Sequence, residues 1–288
     1  MQKGNCPRVD RARLHLVLAL ALAAACGGQI QSESDGVSDE KVQRAPVISH
    51  AEQYDQSGPL TLLPVPERRD TNVEHEVKRI PRPPAGAQLR DPVHQTSAPL
   101  LLVPTINNSF DGVGNGFSGP NGTFSVNAAP PDTNGDVGPR DYVQTVNTDF
   151  AIFNKDPSRG TVGTVRYGPV PINTLWSGFG GGCQTNNDGD PVVLYDPIAD
   201  RWVISQFSVT TTPYLQCVAV STTNDPTGSW NRYAFSYGNT AFPDYPKMGV
   251  WPDAYYITFN IFNNGSTYAV AKLCAYDLAS MIYGALAT

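Results

Sequence analysis

Beyond residue 100 the chain carries its chemistry on aspartate. Residues 101–288 hold 14 Asp and 8 Lys and Arg, with no Glu after Glu76 and no His after His94. That inventory narrows the reactions open to it. Ser-His-Asp and Cys-His centres need an imidazole to carry the proton. Glycosidases need a carboxyl of raised pKa beside a carboxylate. Asp136, Asp190 and Asp244 each stand where a repeating unit starts its first strand, so three carboxylates could share one mouth. Without Glu or His beside them, no catalysis is expected. A net charge of −6 with no basic run makes nucleic acid a poor partner. Gly178–Gly182 lies in a Trp/Phe loop and does not open a helix after a strand, so it is no phosphate loop.

Asp132-Thr133-Asn134-Gly135-Asp136-Val137-Gly138 alternates carboxylate and amide oxygens, the donors a hard cation such as Ca²⁺ takes. Val137 and Val143 fill the positions where an EF-hand needs Gly and Glu, so the candidate is a looser calcium site on Asp132, Asn134 and Asp136. The alternative is an Asx-turn leading into a strand. Asn187-Asp188-Gly189-Asp190 is a weaker second candidate. Cys183 and Cys217 are the expected disulfide of an exported chain. Closing a loop of about 35 residues, the bond would stabilise by roughly 3–4 kcal/mol. Cys274 is left odd, and no Cys/His cluster suggests zinc. Asp225-Pro226-Thr227-Gly228-Ser229-Trp230 resembles the Asp-box turn of sialidase-type propellers, with one residue too many, and reads as structural. Most aromatics beyond 142 read as core. Trp176, Phe179 and Tyr214 are the candidates for a loop-borne surface that takes a glycan or peptide.

The elements that must position these residues begin after a long N-terminal stretch. Lys3, Arg8, Arg11 and Arg13 precede the apolar run Leu14–Ala25, which is too short to span a membrane comfortably. Leu22-Ala23-Ala24-Ala25-Cys26 resembles a bacterial lipobox. Residues 1–26 are therefore expected to be a lipoprotein-type signal, with Cys26 acylated and the protein held on the outer membrane or cell surface. Plain secretion is the alternative. Residues 27–105 are rich in Pro and polar residues and show no sustained period, so a disordered linker is expected. Within it, Leu100–Val103 could add an early strand. From 106 onward, short strand-like runs alternate with turn signals. They form three groups, of which 192–235 contains four runs.

One phrase recurs: a Pro-led turn, an Asp, an aromatic, then an alternating strand. It appears at Gly138–Val143, Asp196–Val203 and Trp251–Ile257, with Tyr142, Trp202 and Tyr255 as the aromatics. Spacings of this order with four strands per unit point to propeller blades. The expectation for 106–288 is all-β, about three blades of four-stranded antiparallel sheet. Three blades fall short of a closed propeller, so an incomplete one is expected. Closure by another copy and a sandwich are the alternatives.

Ala129–Gly135, Asn173–Gly181, 186–207, Asp225–Tyr233 and Asp244–Asp253 are similar to stretches of a family of secreted bacterial β-propeller proteins of unknown activity. The resemblance covers about residues 110–288 and implies a longer protein with further blades; it implies no activity. The functional expectation is a surface binding or adhesion module. The alternative is part of a propeller-type glycoside hydrolase whose catalytic residues lie beyond Thr288.

Overall fold

In the computed structural model of the chain, residues 46–68, 73–74, 97 and 106–288 are described. The chain enters through β1 (Gln53–Gln56) and four two-residue strands. Of these, β2 (Val73–Glu74) pairs in parallel with β5 (Ala128–Ala129), and β3 (Ser118–Gly119) pairs with β4 (Gly122–Thr123). The first large sheet is the antiparallel meander β6 (Asn134–Val137), β7 (Asp141–Thr145), β8 (Asp149–Asn154) and β9 (Val165–Pro171). The second runs through β10 (Val192–Asp196), β11 (Arg201–Ser208), β12 (Leu215–Ser221) and β13 (Trp230–Ser236). β14 (Ala241–Val250), β15 (Ala254–Asn263) and β16 (Thr267–Asp277) make the third. Two short helices, α1 (Gly181–Thr185) and α2 (Leu278–Tyr283), complete the elements used here.

The strands form where apolar and β-branched residues alternate between Asx-type turns. Asp196 closes the β10–β11 turn by accepting from the amides of Ile198 and Ala199 at 2.8 and 3.0 Å. Asp225 closes the β12–β13 turn in the same way, accepting from Thr227 N at 3.0 Å. Trp230 is fully buried below that turn and donates from Nε1 to Pro226 O at 3.1 Å. The Asp-box-like stretch is thus a structural turn. Gly138 meets the same packing demand, since a Cβ there would lie 2.6 Å from the Trp202 ring.

β10 packs between β6 and β14, so the first strands of the three sheets lie side by side. One core, with Phe150, Ile152, Val193, Trp202 and Trp230, fills the space between the first and second sheets. A second, with Val203, Val218, Tyr233, Tyr255 and Ile257, lies between the second and third. The outer face of the first sheet is covered from the 106–126 segment by Val113 and Phe124. Cys183 and Cys217 form the expected disulfide and tie α1 to β12.

The all-β reading holds, but the domain starts earlier than its expected boundary at 106. β1 pairs with β13 as a fifth strand of the second sheet. Leu60 is fully buried in the first core, and Arg232 holds Asp55 through two bonds of 2.8 and 2.6 Å. Residues 46–68 therefore do not behave as disordered linker. Their few apolar side chains suffice because a polar edge strand gains its place through backbone pairing. Asn134–Val137 is itself a strand, so the first sheet has four strands as well. Of the linker expected at 27–105, residues 27–45, 69–72, 75–96 and 98–105, with the strand at Leu100–Val103, lie outside the described residues, as does the signal at 1–26 with Cys26. Among the described residues, no helix is long and apolar enough to cross a membrane.

Candidate functional site

A polar cleft of about 410 Å³ opens where the segment after β1 crosses the ends of the first two sheets. Pro66, Glu67 and Arg68 form one wall. Thr148 and Asp149 at the start of β8, with Pro171 and Asn173 after β9, form the second. The end of α1 and the loop Asn186–Asp188 form the third. This loop runs close to the core, so its backbone and its neighbours' need partners. Its amide and carboxylate side chains supply them.

Asp188 accepts from Val209 N, Thr210 N and Thr210 Oγ1 at 2.6, 2.8 and 2.6 Å. Asn187 accepts from Asn173 N at 3.2 Å and donates to Thr148 O at 2.9 Å. Asn186 donates to Ser208 Oγ at 2.9 Å and Thr211 Oγ1 at 2.8 Å. Asn173 donates to Gln184 O at 2.8 Å. Its own Oδ1 has no partner, although the residue is only 5% exposed, and Asn127 Oδ1 in the same lining is also without one.

Arg68 fastens the first wall to the second. Its Nη2 lies 2.6 Å from Asp149 Oδ2 and donates to Pro169 O at 2.9 Å. Burial raises the Asp149 carboxyl above the usual range, and the Arg68 bond and charge oppose that rise. Glu67 is exposed at the rim. The absence of Glu beyond residue 76 therefore does not keep glutamate out of the folded body, because residues 46–68 belong to it. That removes the main sequence ground for excluding acid–base chemistry.

A smaller cavity of about 210 Å³ lies at the meeting of the first strands, lined by Asp132, Asn134, Asp190, Tyr245 and Lys247 among others. Burial pushes the Asp190 carboxyl up to about 7, and the charges of Asp132 and Asp244 add to the effect. Asp190 accepts from Tyr245 N at 3.2 Å. Of the three aspartates expected to share a mouth, Asp190 and Asp244 do so, and Asp132 takes the place of Asp136.

The side chains of Asp132, Asn134 and Asp136, the expected calcium ligands, each accept a hydrogen bond from a neighbouring segment. Asn134 Oδ1 accepts from Val193 N at 2.7 Å, and Asp136 Oδ2 from Tyr195 N at 2.8 Å. Asp132 Oδ2 accepts from Asn147 Nδ2 at 2.8 Å. The oxygens that suggested a cation thus link the first sheet to the second and anchor a loop. Among the described residues, no group of three or more His, Cys, Asp or Glu is arranged to hold a metal.

The expected aromatic surface is also corrected. Trp176 and Phe179 are 0% and 3% exposed. The 3₁₀ turn Ile172–Trp176 folds inward, and Phe179 lies under the Arg232 guanidinium. Tyr214 is half-buried with its ring edge-on to Phe242. Cys274 is free, its sulfur 3.3 Å from Tyr237 Oη. Comparisons of the chain with protein-family models, with curated proteins and with solved structures each return no match.

Proposed function

We propose that the domain is a binding module that holds its ligand in the polar cleft without transforming it, carried on an exported, lipid-anchored chain. The observation that carries this reading is the cleft itself, a concavity of about 410 Å³ on which amide, hydroxyl and carboxylate residues converge from the first two sheets and from the segment after β1. The ties on Asp149 and Asp188 favour binding over turnover, because both carboxylates already carry structural bonds. The basic n-region and the lipobox-like stretch ending at Cys26 support export and anchoring.

The three large sheets are best understood as successive propeller blades. Supporting this, Asn134 to Val193, Asp136 to Tyr195 and Tyr255 to Asp196 are links between neighbouring sheets that each span 59 residues. The resemblance to secreted bacterial β-propeller proteins favours the same arrangement.

The test is a screen of the full chain against glycan, peptide and metabolite libraries, repeated with Thr185→Trp. Thr185 is exposed and lines the cleft, so the indole fills it without disturbing the core. Ligands that bind the wild type are expected to be lost in the variant; a ligand retained unchanged contradicts the cleft. A second reading, a glycoside hydrolase, is favoured by Glu67 sharing the cleft with the raised carboxyl of Asp149. It requires hydrolysis of aryl glycosides that Glu67→Gln abolishes.

A further inference from the structure

We infer that the outer edge of β16 is an interface between two copies of this chain, paired antiparallel about a two-fold axis so that the three-stranded sheet continues into its counterpart. This edge lies in the third sheet, apart from the cleft, so the pairing does not depend on what the cleft binds.

The first support is how the fold treats its other outer edges. In the first and second sheets the third strand is followed by a fourth, β9 beside β8 and β13 beside β12. β9 is closed in turn. Gly168 N donates to Asn121 Oδ1 at 2.8 Å, Arg68 Nη2 donates to Pro169 O at 2.9 Å, and Pro169 and Pro171 have no N–H to offer. β13 is covered by β1, which is four residues long and carries Asp55. Short strands, prolines and charges keep an edge from pairing further. β16 runs eleven residues, Thr267–Asp277, without proline. Its register shift against β15 falls at Ala269, near the hairpin end, and leaves Val270–Tyr276 regular. Among the described residues, no backbone group from Tyr268 to Tyr276 bonds to any element but β15. Such a strand presents a row of N–H and C=O groups to another strand.

The second support is the side chains. Val270 and Leu273 are 50% and 64% exposed, and Ala269, Ala271 and Ala275 are exposed with them. Alternation puts Val270 on one face of the strand and Ala271, Leu273 and Ala275 on the other. A strand laid along the edge covers apolar side chains on both faces. The third support identifies the occupant. A two-fold antiparallel contact is isologous, so this edge is its own complement. The one charge inside the strand is Lys272, and its ammonium is drawn over the Tyr237 ring, 4.6 Å from the centroid. A register centred on Leu273 sets the two Leu273 side chains opposite each other and Lys272 opposite the partner's Cys274, so no like charges meet.

The test is sedimentation of the full chain over a dilution series, with amide hydrogen exchange measured at both ends of the series. A dimer with a micromolar midpoint is expected, as fits a small interface. Exchange at 270–276 should be slower at the high concentration. The double variant Ala271→Lys, Leu273→Lys puts charges at two exposed sites. It should be a monomer with the melting temperature of dilute wild type. Thr258→Lys, exposed on the same face but one strand inside the edge, should leave the dimer intact. A monomer at every concentration, assemblies that grow beyond two, or a dimer that survives the double variant overturns the pairing. So does a dimer lost in Thr258→Lys without slowed exchange at 270–276, which assigns the contact to the face of the sheet. If the double variant does not fold, the wild-type exchange decides: slowing at 270–276 with concentration upholds the pairing, and slowing elsewhere or nowhere overturns it.

Discussion

Asp190 sits at the meeting of the first strands of the three large sheets, where burial and the carboxylates of Asp132 and Asp244 oppose its charge. The Tyr245 amide is the group there that favours the charged form. An unfolded aspartyl titrates near 3.9, whereas here the carboxyl is raised to about 7. The folded state thus holds a proton that the unfolded state releases. That contribution to stability is fully present below about pH 4 and is lost as pH rises through 7. Asp190→Asn should therefore melt higher than wild type above pH 7 and show a flatter decline from pH 5 to 8, checked by thermal melts across that range. Asp225 has the opposite sign. Burial opposes its charge, but the Arg166 bond and Thr227 outweigh it and hold the carboxyl near 2. Its contribution is present above about pH 4 and lost as pH falls through 2. Asp225→Ala should lower the melting temperature at pH 7, with the gap closing toward pH 2. The sequence exposed the crowding of Asp190 but not its partners, because Asn134-Gly135-Asp136 is a strand whose polar side chains reach across to β10.

The strands that alternate cleanly were legible as elements. β11 and β12 fall where the period-two runs put them, and Asp196 and Asp225 punctuate them as expected. β14 begins at Ala241, ahead of the run expected from Lys247, because two prolines disguise it as loop. It tolerates them because β14 is an edge strand and Pro246 falls within a register shift between Asp244 and Lys247. β1 was invisible: Gln53-Tyr54-Asp55-Gln56 has no apolar alternation, and its hold comes from β13's backbone and from Leu60. Leu60→Ala is expected to cost about 2–5 kcal/mol, as for other buried leucines, read by chemical denaturation. Residues 106–288 alone should unfold at markedly lower temperature than the full chain. Reducing Cys183–Cys217 should remove roughly 3–4 kcal/mol, measured as the shift in denaturation midpoint between the native protein and the Cys183→Ser, Cys217→Ser double variant.

At the scale of the molecule, the sequence disclosed the order of the sheets and almost nothing of the cleft. Its walls come from residues 66–68, 127–128, 148–149, 171, 173, 184–188 and 210, so no local motif marks it. The residues also look ordinary. Asn and Thr in loops signal turns, and only their convergence on the cleft gives them another reading. Trp176 and Phe179 drew attention because aromatics often mark sugar sites, yet here they build the core beneath the cleft. The central claim is that this cleft is where the ligand sits. Amide hydrogen exchange on the full chain, with and without a saturating ligand from the library screen, tests it most directly. The account predicts slowed exchange at Glu67–Arg68, Thr148–Asp149, Asn173 and Gln184–Asp188. Protection confined to other segments, such as the Asp190–Tyr245 junction, or no change anywhere at saturation, would contradict it.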